Sequence, residues 1–354
     1  MEIIIKITDM KKLVLLFFFI FFLTEGFSQT KYKPIVVGFY NFENFYDTVF
    51  HGKNDDPQFT PQGSKAYTSA VFNDKVKKLA TVVSQIGADI NPDGIAILGT
   101  SEIENAFVLD TLIKHPLISH RGYKFVHYDS RDFRGVDVAM IYNPKYFKVQ
   151  KSRPLFVKLP EGSKDAFYTR DVLWVTGWLA GEKVHVFVNH WPSRSGGEKR
   201  SEPGRIAAAE TVRKQIDTLL IIEPASKIIV MGDLNDDPTN NSITKGLKAS
   251  GNLKNLNKDE LYNPWVDYYK NGIGTLAYQD AWSLFDQIII SQAFLDKKQD
   301  GFFFYKNNVF KADYMIENIG KYKGYPMRTY SGDLYRGGYS DHFPTYIVLL
   351  KKVE

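Results

Sequence analysis

"KIIVMGDLNDDP", residues 227–238, opens as an apolar run from Ile228 to Met231 and closes in acids and amides: Asp233, Asn235, Asp236 and Asp237. A short run with both faces apolar is what a strand covered on both sides requires. Similar runs of strand length occur at Ile35–Tyr40, Ile95–Leu98, Val136–Tyr142, Leu173–Leu179, Val184–Val188, Phe285–Ile290 and Tyr346–Leu350. Helical patterns lie between some of them. Asn73 reads as a cap before Val76, Leu79, Ala80, Val83 and Ile86, and Ser201 leads into Ile206, Ala209, Val212, Ile216 and Leu219. Strands alternating with helices predict a layered α/β or mixed α+β fold.

The polar residues collect where the apolar runs stop. "GFYNFEN" ends in Asn41 and Glu43, "ILGTSEIEN" carries Glu102, and "FVNHWPSR" carries Asn189 and His190. Later the order flips: Asp286 opens "FDQIIIS", and Asp341 and His342 stand just before the last run. If the late strands run antiparallel to the early ones, all these groups meet at one edge of the sheets, where active sites of strand-built folds lie. Taken singly, each has an ordinary explanation. "GDLNDDP" has turn composition, Glu102 could be a first-turn acid, and either histidine could be structural. The stretch is not an EF-hand loop, because Pro238 stands where that loop needs glycine. Jointly, clustered carboxylates and amides suit a hard divalent cation, Mg²⁺ first and Mn²⁺ or Ca²⁺ as alternatives, and two histidines add proton-transfer groups. That combination describes metal-assisted attack of water on a phosphate ester.

Composition narrows the classes. With 354 residues and 44% hydrophobic content the chain can bury a large core, and its formal charge of +5 is too diffuse to name an anionic partner. No cysteine is present, which excludes disulfides, thiolate catalysis, cysteine zinc sites, iron–sulfur clusters and a lipid on cysteine. At the N-terminus Lys11 and Lys12 precede the apolar run Leu13–Leu23, followed by small residues at Gly26 and Ser28. That layout is a signal peptide over 1–28, whether translation starts at Met1 or Met10. Such a run is short of the roughly 20 residues that span a bilayer, so no membrane anchor is expected after its removal. The protein is therefore expected in a periplasm or outside the cell. With no repeat or linker, residues 29–354 read as one catalytic domain.

"YNFEN", "SEIEN", "RGVDVAMIY", "NHWPSRSGG", "GDLNDDP", "LFDQIIIS" and "YSDHFP" appear in the order seen in the endonuclease/exonuclease/phosphatase family, and the resemblance runs from about Ile35 to Leu350. It implies a deoxyribonuclease I-like four-layer sandwich, two packed mixed sheets flanked by helices, with the site at one edge. By that resemblance Glu102 binds the metal directly, Asn41 helps position it, and Asp341 is a further metal or hydrogen-bonding group. Asp233 would orient or activate the attacking water and Asn235 hold phosphate oxygens. His342 would polarise the phosphate with Asp286 as its orienting partner, and His190 would serve the leaving oxygen.

Substrate contacts are expected from two basic and aromatic stretches. "WPSRSGGEKRSEPGR" places Trp191, Arg194 and Arg205 after Asn189 and His190, and "KYKGYPMRTYSGDLYRGGYSDH" interleaves Lys321, Arg328 and Arg336 with Tyr322, Tyr325, Tyr330, Tyr335 and Tyr339. Arg134 in "RDFRGVDVAMIY" either steers the phosphate or forms a salt-bridged bulge with Asp137. The expected activity is an exported metal-dependent phosphodiesterase, foremost a nuclease. The alternatives are an enzyme acting on inositol or lipid phosphates and a noncatalytic binding module on the same fold. The acidic loop at 51–63, "HGKNDDPQFTPQG", has no assigned role.

Overall fold

The computed structural model describes residues 30–53, 56–161, 168–298 and 300–353, so the expected signal segment lies outside the described residues. Among the described residues no helix is long and apolar enough to cross a membrane. Residues Pro34–Lys351 form one compact unit.

The first strands are β1 (Lys31–Phe45), β2 (Ile97–Ile103), β3 (Lys124–His127), β4 (Asp137–Tyr142), β5 (Phe147–Leu155), β6 (Val172–Leu179), β7 (Glu182–His190) and β8 (Lys227–Asp233). Later come the two-residue strands β9 (Ala249–Ser250) and β10 (Leu261–Tyr262), and the hairpin β11 (Leu276–Tyr278) and β12 (Ala281–Ser283). Then follow β13 (Asp286–Ile290), β14 (Phe303–Val309), the short hairpin β15 (Tyr330–Ser331) and β16 (Leu334–Tyr335), and β17 (Thr345–Val353). One sheet has the order β14-β17-β1-β2-β4-β3 and the other β5-β6-β7-β8-β13-β10-β9. Both are mixed: β1 and β2 are parallel, as are β7 and β8, while β13 runs antiparallel to β8.

Strand alternation builds the layers. In β8, Ile229 and Met231 enter the core between the sheets, whereas Ile228 and Val230 face the helix α3 (Glu198–Ile222). In β1, Val37 and Phe39 join that inter-sheet core, while Val36, Tyr40 and Phe42 pack with α1 (Ser69–Gln85) and α2 (Ala106–Ile113). Three apolar interfaces thus separate four layers, the expected sandwich. Close approach at the centre needs a glycine, since a Cβ at Gly99 would lie 2.4 Å from the Met231 sulfur across the interface.

Several local expectations change. The first long helix starts at Ser69, capped by Thr68, whose hydroxyl accepts the Val71 N–H at 3.5 Å; Asn73 lies inside it. Helix α3 starts at Glu198, because Gly197 at φ 111° turns the chain and the Ser201 hydroxyl donates back to the Gly197 carbonyl at 2.9 Å. Strands β3, β5 and β14 carry no clear apolar signature. Of these, β3 and β14 end one sheet and β5 the other, and Pro154 in β5 is tolerated because an edge strand leaves one row of N–H groups unpaired.

Candidate active site

Register brings the key acids together. On the second sheet His190, the last residue of β7, pairs with Asp233, the last of β8, which in turn pairs with Asp286, the first of β13. From the first sheet, the Asn41 amide donates to Asp233 Oδ2 at 3.1 Å, so both sheets meet at this carboxylate. The antiparallel entry of β13 anticipated from sequence is what places Asp286 at the same edge. Gly232 permits the packing just beneath, because a Cβ there would lie 2.3 Å from the Asn189 carbonyl oxygen.

The backbone bends where the chemistry collects. Non-glycine residues Glu43, Asn44, Glu102 and Asn235 all adopt left-handed φ values, 47°, 52°, 60° and 50°. Such conformations cost of order 1–3 kcal/mol each and persist only where surroundings hold them. The ladders slip at the same places, between Asn41 and Phe45 in β1 and between Ser101 and Ile103 in β2. A bulge re-aims a side chain, and here it turns Glu102 away from the strand's alternation. Strict alternation likewise ends at Asp233. Leu234 is buried in the core under α3, while Asn235 sits in a left-handed turn with its N–H donating to Asp233 Oδ1 at 3.0 Å and its amide donating to the Trp191 carbonyl at 2.9 Å.

Around Asp233 Oδ2, His190 Nε2 lies at 3.7 Å and His342 Nε2 at 3.9 Å. His190 Nε2 is also 3.9 Å from Glu102 Oε1. His342 arrives in the loop before β17, and its Nδ1 makes a 2.7 Å hydrogen bond with Asp286 Oδ2. The Ser340 hydroxyl accepts the His342 N–H at 3.1 Å and donates to the Asn41 carbonyl at 2.7 Å, fixing this loop on β1. Arg134 pairs with Glu102 at 3.3 Å and contacts Asn44, while Asn44 N–H donates to Glu102 Oε2 at 2.8 Å.

Burial and these contacts set the charges. Burial alone would raise the Glu102 carboxyl, but Arg134, His190 and the Asn44 N–H hold it well below the usual range. Burial would lower His342, yet Asp286 and Asp233 raise it well above an ordinary histidine, which favours the protonated ring. Burial, with Arg170 and Arg134 nearby, drives His190 the other way, to a neutral ring. Asp233 is pushed up by burial and by Asp286 and Glu102, against His342 and the Asn235 N–H. Two histidines at one carboxylate are thus pushed in opposite directions.

Not every expected contact residue faces the site. Asn189 is fully buried, its amide donating to the Phe187 and Met231 carbonyls at 3.2 and 3.0 Å. Trp191, 1% exposed, donates its indole N–H to Asn189 Oδ1 at 3.0 Å. Arg205, fully buried, is paired with Asp236 at 2.8 Å. The expectation that these three touch substrate is corrected: they form the floor that carries His190 and Asn235. Arg194 is mostly committed too, donating to the Asn235 carbonyl at 3.0 Å and pairing with Asp236 and Asp237 at 3.2 and 3.1 Å. Asn41 spends its Oδ1 on the Glu43 N–H at 2.8 Å, so in this state it positions Asp233. Asp341, half-buried, is 3.9 Å from His342 Nε2 and 3.2 Å from Arg328.

A buried pair behind the site was missed. Glu43 accepts the Thr329 N–H at 2.6 Å and lies 4.0 Å from Lys75, whose ammonium donates to Thr329 Oγ1 at 2.5 Å and to the Tyr339 carbonyl at 3.0 Å. Burial lowers Lys75 and raises Glu43. The available signal was a lysine on the apolar face of α1, between Phe72 and Leu79.

A cavity of ≈ 570 Å³ adjoins the centre at Asp341, lined by Tyr322, Tyr325, Lys321, Arg328 and Arg336 with Asp280 and Glu317. The sequence matches the profile of the Endonuclease/Exonuclease/phosphatase family over residues 36–351. This chain belongs to that family. No curated protein matches the sequence. Solved structures that share the fold of this endonuclease/exonuclease/phosphatase member include these three. A family protein from Bacteroides thetaiotaomicron is 16% identical with a TM-score of 0.54, over 92% of this chain and 98% of that one. The mannosyl-6-phosphatase of B. thetaiotaomicron is 16% identical with a TM-score of 0.54, over 89% and 99%. D. rerio TDP2, complexed with a single-strand DNA product, is 12% identical with a TM-score of 0.52, over 90% and 99%.

As a member of this family the chain is a divalent-metal-dependent phosphoric ester hydrolase. The donor set fits a hard cation: Glu102 is held ionised, Asp233 adds carboxylate oxygens, Asn41 has a side-chain oxygen that the Glu43 N–H occupies in this state, and no cysteine thiolate is present. Asp233, Asp286 and His342 also lie close enough to share an ion. The short Asp286–His342 bond uses the ring's Nδ1, however, and makes that group an oriented dyad. When bound, the cation supplies Lewis-acid stabilisation of phosphoryl and leaving oxygens.

Proposed function

We propose that this endonuclease/exonuclease/phosphatase member hydrolyses nucleic-acid phosphodiester bonds with Mg²⁺, after export guided by the Leu13–Leu23 segment. The observation carrying this reading is the cleft beside Asp341, whose Tyr322, Tyr325, Arg328 and Arg336 wall offers stacking faces and phosphate partners next to His342. Glu102, with Asn41, would hold the cation. The imidazolium of His342, oriented by Asp286, donates from Nε2 to a phosphoryl oxygen, where charge grows during in-line attack. Asp233, raised by its buried setting and held by Asn41 and the Asn235 N–H, receives the proton of the attacking water. The neutral His190 ring offers an Nε2–H hydrogen bond on the side facing Asp233 and Glu102, serving the leaving oxygen.

A second reading has its own support. Asp280 and Glu317 in the same cleft could accept hydroxyls of a small sugar phosphate, and the mannosyl-6-phosphatase shares the fold. The test gives metal-stripped protein Mg²⁺ or Mn²⁺ with supercoiled plasmid, single-stranded oligonucleotide or a hexose 6-phosphate. Metal-dependent cleavage of nucleic acid, lowered about 10²- to 10⁴-fold by Asp233→Ala, is the expected result. Intact nucleic acid with phosphate released from the sugar overturns the nuclease reading.

A further inference from the structure

Lys75 stands on the apolar face of α1, where the spacing of Phe72, Val76 and Leu79 calls for a hydrocarbon side chain. It is fully buried, and an ammonium out of water is costly unless acceptors meet its donors. A lysine has three N–H donors and no acceptor. Here they face Thr329 Oγ1 at 2.5 Å, the Tyr339 carbonyl at 3.0 Å and Glu43 Oε2 at 4.0 Å. Thr329 precedes β15 and Tyr339 follows β16, so one ammonium holds both arms of that hairpin at its base, and Glu43 ties it to the end of β1. The arms are themselves joined, the Arg336 N–H donating to the Thr329 carbonyl at 2.8 Å and the Tyr339 N–H to the Met327 carbonyl at 2.7 Å. Lys65 and Lys78 hold the hairpin farther out, at the Gly332 and Gly337 carbonyls.

Both arms carry groups of the site. Arg328, on the cleft wall, immediately precedes Thr329, and Ser340, Asp341 and His342 immediately follow Tyr339. A chain of hydrogen bonds also runs from the hairpin base to the centre. The Thr329 N–H donates to Glu43 Oε2 at 2.6 Å, the Glu43 N–H to Asn41 Oδ1 at 2.8 Å, and the Asn41 amide to Asp233 Oδ2 at 3.1 Å. We propose that Lys75 is a positioning residue of the cleavage centre: it sets the base of the β15–β16 hairpin against the end of β1 and so fixes Arg328 and His342 relative to Asn41 and Asp233. Lys75 acts through these partners and is shut off from solvent by its burial. Methionine is of similar length, and replacing a buried ion pair by well-packed uncharged groups often leaves a protein as stable or more so. What the ammonium adds is direction, because its acceptors specify where the hairpin base lies.

This role requires only the phosphoester hydrolysis of the family, so it stands or falls separately from the nuclease reading. The test compares native protein with the double variant Lys75→Met, Glu43→Gln, which removes both charges together, and with Thr329→Val, which removes one acceptor and no charge. Rates are measured with saturating Mg²⁺ or Mn²⁺, well below the unfolding transition, on whichever of plasmid, oligonucleotide or hexose 6-phosphate the native protein cleaves. The double variant is expected to unfold at or above the native temperature, yet to show kcat lowered about 10- to 100-fold and a raised KM. Thr329→Val should lower kcat in the same direction and by less. Hydrogen–deuterium exchange across residues 325–342 should be faster in both variants. A folded double variant with native kcat and KM overturns the proposal, since a merely structural lysine changes the unfolding temperature alone. Native exchange across 325–342 overturns it too, and decides the matter even where no substrate is turned over. If the double variant does not fold, Thr329→Val decides by the same two readings.

Discussion

The segments 191–205 and 321–342 share a chemical vocabulary, arginine, lysine and glycine with aromatic residues, Trp191 in the first and five tyrosines in the second, and each adjoins a histidine of the candidate site. The fold uses them oppositely. In the first, Trp191 and Arg205 are buried, and the guanidiniums of Arg194 and Arg205 are taken up by Asp236 and Asp237 of the "GDLNDDP" turn. In the second, Arg328 and Arg336 keep side-chain exposures of 53% and 39% and each meets one acid, Asp341 or Glu317, on the wall of the open cleft. Even there the division continues. Tyr322 and Tyr325 line the cleft, while Tyr335 and Tyr339 turn back to cover Lys78 on α1 and Tyr330 packs on Phe59. Composition identifies groups able to grip a phosphate; where their counter-charges lie decides whether they are free to do so.

That contrast can be broken by substitution. The largest expected effect is on folding: Arg205→Met removes the buried partner of Asp236, leaving it only the partly exposed Arg194 guanidinium, and should cost about 3–5 kcal/mol, read from urea unfolding. Replacing Asp236 by leucine in the same chain should recover part of that loss, because an uncompensated charge is worse than none. Arg194→Ala, in a half-exposed position, should cost about 1–2 kcal/mol and lower kcat through the Asn235 turn it supports. A stability change near zero for either arginine would place segment 191–205 among the free loops.

Arg328→Ala and Arg336→Ala should leave stability within about 0.5 kcal/mol, as exposed ion pairs contribute little. On a nucleic-acid substrate each should raise KM, with kcat less affected. The smallest effect sharpens the contrast most: each cleft arginine removed should reduce the slope of log KM against log salt by about 0.7–0.9, while Arg194→Ala leaves that slope unchanged. Equal slopes for both sets would mean that the cleft does not hold the phosphate backbone.

Much of this was legible from residue order. The run Ile228–Met231 alternates into two cores, as a strand covered on both faces must, and the polar residues at run ends anticipate the row His190, Asp233 and Asp286. Helix starts were less legible. Thr68 caps through its hydroxyl and Gly197 through its backbone turn, whereas Asn73 and Ser201, which have the right composition, lie inside their helices. Strand alternation does not extend past Asp233, because Asn235 two residues on is left-handed.

By itself the sequence determined the layer architecture and the set of strand ends that carry chemistry, because burial of alternating side chains is a local pattern and a strand's last residue is its exit from the core. Tertiary structure alone decided which charges remain available. Arg205 against Asp236, Lys75 beside Glu43 and Asp56 facing Glu104 are pairs made across long stretches of chain, and no local pattern records them. Desolvation does the rest: once buried together, such groups must compensate one another or bind something that does.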